Sequence, residues 1–454
     1  MKLTDIIRHR SVDIDAPLRS SGLTIEPNIP ICQTDLPLDW YQDEFRPYAE
    51  EYLALPDRTA QTVVPWMDRY VVPALDHFGD SIMLLAHFYM GGEIVSVVEH
   101  YGGAIADSYQ LALQAVRHPE KSIFVESAVH FMAETITLLA HPHQQVYITN
   151  PKSGCTMETL AKEAMVAPVF DQLIDRYGDD LVVICYMNTS GRVKAMAGIT
   201  GGAVCTSANA PVILRWAKEQ NKKVFFIPDR HLGENTAATV GISPHDQFVW
   251  PPGWEGARTS IDQLSNQDKL RLDSSQLILW GSYCSVHTVF TVAHIHFWRS
   301  QGYEVHVHPE CTREVVSLAD GHGSTNYLWR VVQDAKPGAK IAIATEGHFV
   351  RNAAKLGRKL GVDVRNLADV PGPAGSVGCG CATMSRNDPP HLVGMLDLLR
   401  QGRPPAKNLV LAGDMVDESS GARERLDLQS RTEIATYARR ALEKMIDLTE
   451  ASRG

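Results

Sequence analysis

From Ser81 onward the chain repeats one order of parts three times, at a period of roughly 100 residues, and this repeat most limits how it can fold. Each round opens on an apolar run with polar tips: IMLLAHFY with His87 and Tyr89, LVVICYMN with Tyr186 and Asn188, YEVHVHPE with His308 and Glu310. A hydroxyl residue at the start of a helical pattern follows: Ser108 in ADSYQLALQAV, Ser207 in CTSANAPVILRWAKE, and Ser324-Thr325 in GSTNYLWRVV. The spacing is 21 residues from His87 to Ser108, 21 from Tyr186 to Ser207, and 17 from His308 to Thr325. Next come SIFVES, KVFFIPD and KIAIATE, each with an acid at or near its end and a histidine soon after, His130, His231 and His348. A fourth run then leads to a cysteine, in QVYITNPKSGC, LILWGSYC and VDVRNLADVPGPAGSVGCGC.

Apolar runs alternating with helical patterns are the signature of βαβ units and a parallel sheet. The repeat therefore predicts an α/β protein: three pseudo-symmetric three-layer αβα domains, with mainly parallel sheets, facing a common centre. The expected boundaries are 76–165, 166–290 and 291–384, with an insertion near 235–273 in the second unit. Residues 1–75, rich in Pro and Asp, read as an irregular extension over the surface. Residues 385–454 read as a helical tail. In its last helix, Ile434, Tyr437, Ala438, Ala441 and Met445 recur at helical spacing and predict a face packed on a domain.

Composition narrows the function. A formal charge of −10 and the lack of any compact basic run argue against nucleic-acid binding, which needs a face that neutralises phosphates. No stretch reaches the ~20 apolar residues that cross a bilayer. The opening MKLTDIIRHRSVDIDAPL lacks the apolar run of a signal peptide, so a cytoplasmic protein is expected. In that compartment eight cysteines suit core thiols, metal ligands or catalysis better than disulfides.

Ligands of parallel α/β folds lie outside the carboxyl ends of strands, which gathers the polar tips into one place. Ser108, Ser207 and Ser324 or Thr325 mark helix starts, where free N–H groups attract anions. Taken singly each reads as an N-cap; three around one centre suggest a substrate with several carboxylates or a phosphate. His308-Pro309-Glu310 sets two titratable groups on a stiff turn, suited to proton transfer. Cys185 reads as a core thiol and Cys32 lies in the extension, while Cys205 and Cys311 lie near the site but outside the repeated position. Cys155, Cys284 and one of Cys379 or Cys381 occupy that position, either as buried thiols or as metal ligands. Isolated thiolates without Cys-x2-Cys pairing suit a 4Fe-4S cluster with one open iron better than zinc.

In order, the motifs AHFYM, ADSYQLA, VHFMAET, SGCTMETLA, YMNTSGRVKAM, CTSANA, FFIPDRHLGENTA, WGSYCSVH, VHPEC, EVVSLADGHGST, IATEG and CATM resemble the quinolinate synthase family over roughly residues 80–400. The resemblance implies one 4Fe-4S cluster per chain, held by Cys155, Cys284 and, from the C-x-x-M pattern, Cys381. It implies a transferase of de novo NAD biosynthesis that condenses iminosuccinate with dihydroxyacetone phosphate, with an aspartate oxidase or dehydrogenase as the source of iminosuccinate. By the same resemblance His87, Ser108, Tyr186, Asn188, Ser207, His308 and Thr325 hold substrate groups. Glu310 is the principal acid/base, and Tyr89 assists. The sequence departs from the family at Met90, at Ala106 and at Glu126-Ser127-Ala128, which leaves a related cluster enzyme acting on another small dicarboxylate as the alternative.

Overall fold

The computed structural model describes residues 20–29, 31, 35–371, 380–417 and 423–452. Three parallel sheets carry it. The first joins β1 (Ile82–His87), β2 (Ala104–Ala106), β3 (Ile123–Ser127) and β4 (Gln145–Ile148) in the order β2-β1-β3-β4. The second joins β5 (Leu181–Tyr186), β6 (Ala203–Cys205), β7 (Lys223–Ile227), β8 (Gln247–Trp250) and β9 (Leu277–Trp280) in the order β6-β5-β7-β9-β8. The third joins β10 (Glu304–Val307), β11 (Gly321–His322), β12 (Lys340–Ala344) and β13 (Asp363–Asn366) in the order β11-β10-β12-β13. Helices flank all three, so the chain is an α/β protein with three αβα units.

The strands are near-continuous apolar runs because a parallel sheet covered on both faces buries every side chain. All of LVVICY in β5 is buried. The repeat extends to register: the first residues of β1, β5 and β10 (Ile82, Leu181 and Glu304) pair with Ile123, Lys223 and Ile341. The short edge strands β2, β6 and β11 span two or three residues, too few to leave a period in the sequence.

The insertion adds the edge strand β8 and the helices Gly253–Arg258 and Asn266–Ser274. Trp250 is fully buried beneath them, so this segment is packed scaffold. The tail closes another edge: Val410 and Ile148 exchange backbone hydrogen bonds with Val146 and Asn408 along β4, so the run NLVLAG covers an open strand. Residues 46–53 and 60–78 are helices rather than the irregular extension expected. Val63, Trp66, Met67, Val71 and Ala74 are buried along the second, which packs on the helix Pro389–Arg400. No described helix is long and apolar enough to cross a membrane.

Candidate active site

In each sheet the chain runs outward from the first strand to the second, then crosses back to the third. The carboxyl ends beside this reversal form a crevice. The crevices of the three units open onto one cavity of about 320 Å³. The first unit brings His87, Tyr89, Ser108 and Cys155 to it, and the second Tyr186, Asn188, Ser207 and Cys284. The third brings His308, Glu310, Thr325 and Cys381. Cys185, Cys205 and Cys311 are fully buried and do not line it. Cys32 and Cys379 lie outside the described residues.

Two cysteines are held by one device. Asp229 caps the helix Arg230–Thr239, accepting the Leu232 N–H on Oδ1 at 2.7 Å and the Cys284 N–H on Oδ2 at 2.9 Å. Glu346 caps the helix Gly347–Leu360, accepting the Phe349 N–H on Oε2 at 2.9 Å and the Cys381 N–H on Oε1 at 2.8 Å. Each acid stands two residues before the repeated histidine. In the first unit that place belongs to Ala128, and Cys155 is itself the N-cap residue of the helix Thr156–Leu160. The acid seen there in the sequence, Glu126, is instead buried with both carboxylate oxygens lacking a hydrogen-bond partner. Burial pushes its carboxyl well above the usual range.

Burial also pushes the thiols of Cys155, Cys284 and Cys381 up, and neighbouring negative charge adds to this at all three. Among the described residues the three sulfurs do not form a group within 4.8 Å of one another. A single tetrahedral zinc, about 2.3 Å from each sulfur, would draw its thiolates to about 3.8 Å apart. The three sulfurs therefore do not stand in the arrangement of a single zinc site.

Beside the Cys284 thiol lies a polar network. The Tyr89 N–H donates to His87 Nδ1 at 3.2 Å, and the Glu310 N–H donates to His308 Nδ1 at 3.4 Å. Each imidazole therefore carries its proton on Nε2. Burial pulls both to about 3, so they are neutral donors near pH 7. Glu310 has the opposite balance. Burial disfavours its charge, but the facing His287 and His308 outweigh that and lower it to about 2.

His287 packs ring on ring with His308, centroids 4.5 Å apart. Its Nδ1 lies 2.8 Å from Glu310 Oε2, off the line of a good hydrogen bond, and its Nε2 is 3.0 Å from Thr345 Oγ1. Thr345 Oγ1 is 2.9 Å from the Tyr89 hydroxyl, which accepts from Thr325 Oγ1 at 3.1 Å. Thr325, Tyr89, Thr345, His287 and Glu310 thus form one chain of polar contacts between the units.

The hydroxyls differ in detail from the helix-start reading. Ser108 is the first residue of its helix and Asp107 is the cap. Ser324 caps the helix Thr325–Gln333, which leaves Thr325 to line the cavity. Ser207 lies in a turn before the helix Ala210–Glu219, whose N-cap is Asn209, because CTSAN needs a turn to bring the chain from β6 to that helix. His287, Thr345, Asp229 and Glu346 were absent from the sequence-derived set. The acids were visible as strand ends and His287 as Cys284-x-x-His287, but nothing in the sequence ties them to their partners.

A family model described as quinolinate synthetase A protein matches residues 74–447. The quinolinate synthase of Corynebacterium glutamicum is 33% identical over 413 residues, covering 90% of this chain and 94% of the relative. That of Streptomyces coelicolor is 34% identical over 379 residues, covering 83% and 86%. That of Bacillus subtilis is 34% identical over 344 residues, covering 74% and 86%.

Proposed function

The chain belongs to the quinolinate synthetase A family, and from that premise we propose how its pocket carries the quinolinate synthase reaction. Iminosuccinate and dihydroxyacetone phosphate condense to quinolinate, phosphate and water. Cys155, Cys284 and Cys381 would hold the 4Fe-4S cluster of this family, which would supply Lewis-acid chemistry to the cavity. The observation behind this reading is that thiols from all three units open on the same cavity as Glu310 and its histidines.

Among the described residues that line the cavity there is no Lys or Arg. The carboxylates and phosphate of the substrates are therefore held by neutral donors. These are the hydroxyls of Ser108, Ser207 and Thr325, the Nε2–H of His87 and His308, and the side chains of Tyr186 and Asn188. Neutral imidazoles give hydrogen bonds without locking an anionic product in place, which suits a site that must release phosphate and a dicarboxylate.

Glu310 is the acid/base. Its ionised carboxylate takes a proton from the condensing carbon chain and returns one to a departing hydroxyl. His287 Nδ1 stands 2.8 Å from the carboxylate, and Thr345 orients His287 through Nε2. Tyr89, held between Thr325 and Thr345, presents its hydroxyl to the reacting carbon chain. Burial raises the Tyr89 phenol well above its usual range, so it acts as a proton donor and never as a phenolate.

Anaerobic reconstitution tests the assignment. Cys155→Ala, Cys284→Ala and Cys381→Ala each lose iron and sulfide, while Cys205→Ala keeps both. Glu310→Gln keeps a full cluster and loses turnover by about 10²–10⁴-fold. A Glu310→Gln enzyme with wild-type turnover sinks the acid/base role, and full iron in Cys381→Ala sinks the ligand set.

A further inference from the structure

We propose that the cluster-free chain holds a second, mononuclear metal site in this cavity, built from Cys284, His287 and Glu310 and selective for zinc-like divalent cations. One ligand atom from each of these residues lies within 4.8 Å of the other two. His287 and Glu310 are 1% and 2% exposed. His287 Nδ1 is buried without an aligned hydrogen-bond partner although it sits 2.8 Å from Glu310 Oε2. A cation that draws the two apart to about 3.3 Å and binds both would give this nitrogen an aligned partner.

The donor set is that of zinc: one thiolate, one imidazole and one carboxylate, with a fourth position open to the cavity. Thiolate and carboxylate together neutralise a divalent ion, which a cavity with no Lys or Arg among its described lining residues tolerates better than a net charge. Thr345 already stands where the bound imidazole needs a partner. Binding through Nδ1 puts the imidazole proton on Nε2, where Thr345 Oγ1 lies at 3.0 Å to accept it. On binding, the Cys284 thiol gives its proton to solvent and its sulfur bonds the metal; nothing is oxidised or reduced.

This inference rests in part on the cluster assignment, since Cys284 serves both sites and Glu310 serves catalysis. Zinc and the cluster then exclude one another, and zinc-loaded protein is an off state. Full-length protein freed of its cluster under anaerobic conditions is titrated with Co²⁺ and, against a chromophoric chelator, with Zn²⁺. The expected result is one ion per chain, with the absorption of tetrahedral cobalt and a thiolate-to-cobalt charge-transfer band.

Cys284→Ala and His287→Ala weaken Zn²⁺ binding by about 10–100-fold or more. Cys155→Ala and Cys381→Ala bind it as the wild type does, and protein already loaded with the cluster takes up none. No charge-transfer band in the wild type, or equal weakening across all three cysteine variants, overturns the proposal. The cluster reading stands or falls separately, on iron retention in Cys155→Ala and Cys381→Ala. The wild-type cobalt spectrum decides the matter even where a variant misfolds.

Discussion

Asp229 divides its carboxylate between two tasks, ending a helix with one oxygen and holding the Cys284 N–H with the other. Asp229→Ala removes a cap, which costs about 1 kcal/mol, and also frees the loop that aims Cys284 at the cavity. The chain should still fold but retain less than about half the wild-type iron after gel filtration, because losing a group that orients a ligand weakens metal sites about 10–100-fold. Iron equal to the wild type would show that the loop needs no such anchor. His87 gives a pH prediction. Its folded value, about 3, lies below the 6.5 of a free imidazole, so below pH 6.5 the unfolded state binds a proton that the folded state refuses. Stability is then full above that pH and falls on acidification towards 3, by up to about 1.4 kcal/mol per pH unit for this residue. Urea unfolding between pH 6.5 and 4.5 should show a shallower slope in His87→Gln than in the wild type. His87 was readable in the sequence as a strand tip. Its neutrality was not, since burial by other units sets it.

The last helix, Leu428–Ala451, illustrates how an element is read and where reading stops. Its helical spacing was explicit, and Ala438, Ala441 and Met445 are buried as expected, with Ile434 and Tyr437 packed beside them. Its partner, the helix Gly191–Ile199, could not be inferred. The two approach so closely that a Cβ on Gly198 would run into the Tyr437 carbonyl. Gly198→Ala should therefore destabilise by about 1–3 kcal/mol, the cost of overpacking, despite alanine's better helix propensity. Thermal unfolding decides it; a raised midpoint would mean that the helices simply slide apart. The helix Ala60–Phe78 failed in the other direction. Pro65 and Pro73 lie inside it and mask a buried face, and packing on Pro389–Arg400 outweighs what they cost.

Across the whole molecule, the proposed cluster, with one cysteine ligand from each unit, would act as a cross-link present only in the folded state. Chelation of iron should lower the unfolding midpoint by about 3–4 °C, as expected when a ligand bound well above its dissociation constant is lost from a chain of 454 residues. The same treatment of Cys284→Ala should change nothing, since it starts without the cluster. A midpoint unmoved in the wild type would mean that the units hold together without it.

Local chemistry alone determined the three rounds of strand and helix, the apolar faces, the helix starts and the recurring cysteines. Strand and helix periods are written in neighbouring residues, and a parallel sheet buried on both faces leaves an unmistakable run such as LVVICY. Only the tertiary structure decided that these ends meet on one cavity, that Ala128 replaces a capping acid in one unit, and that His287 stands between Thr345 and Glu310. Those facts depend on contacts between residues tens to hundreds of positions apart. Burial and charge at such contacts follow from the packing of three units and have no periodic trace in the chain.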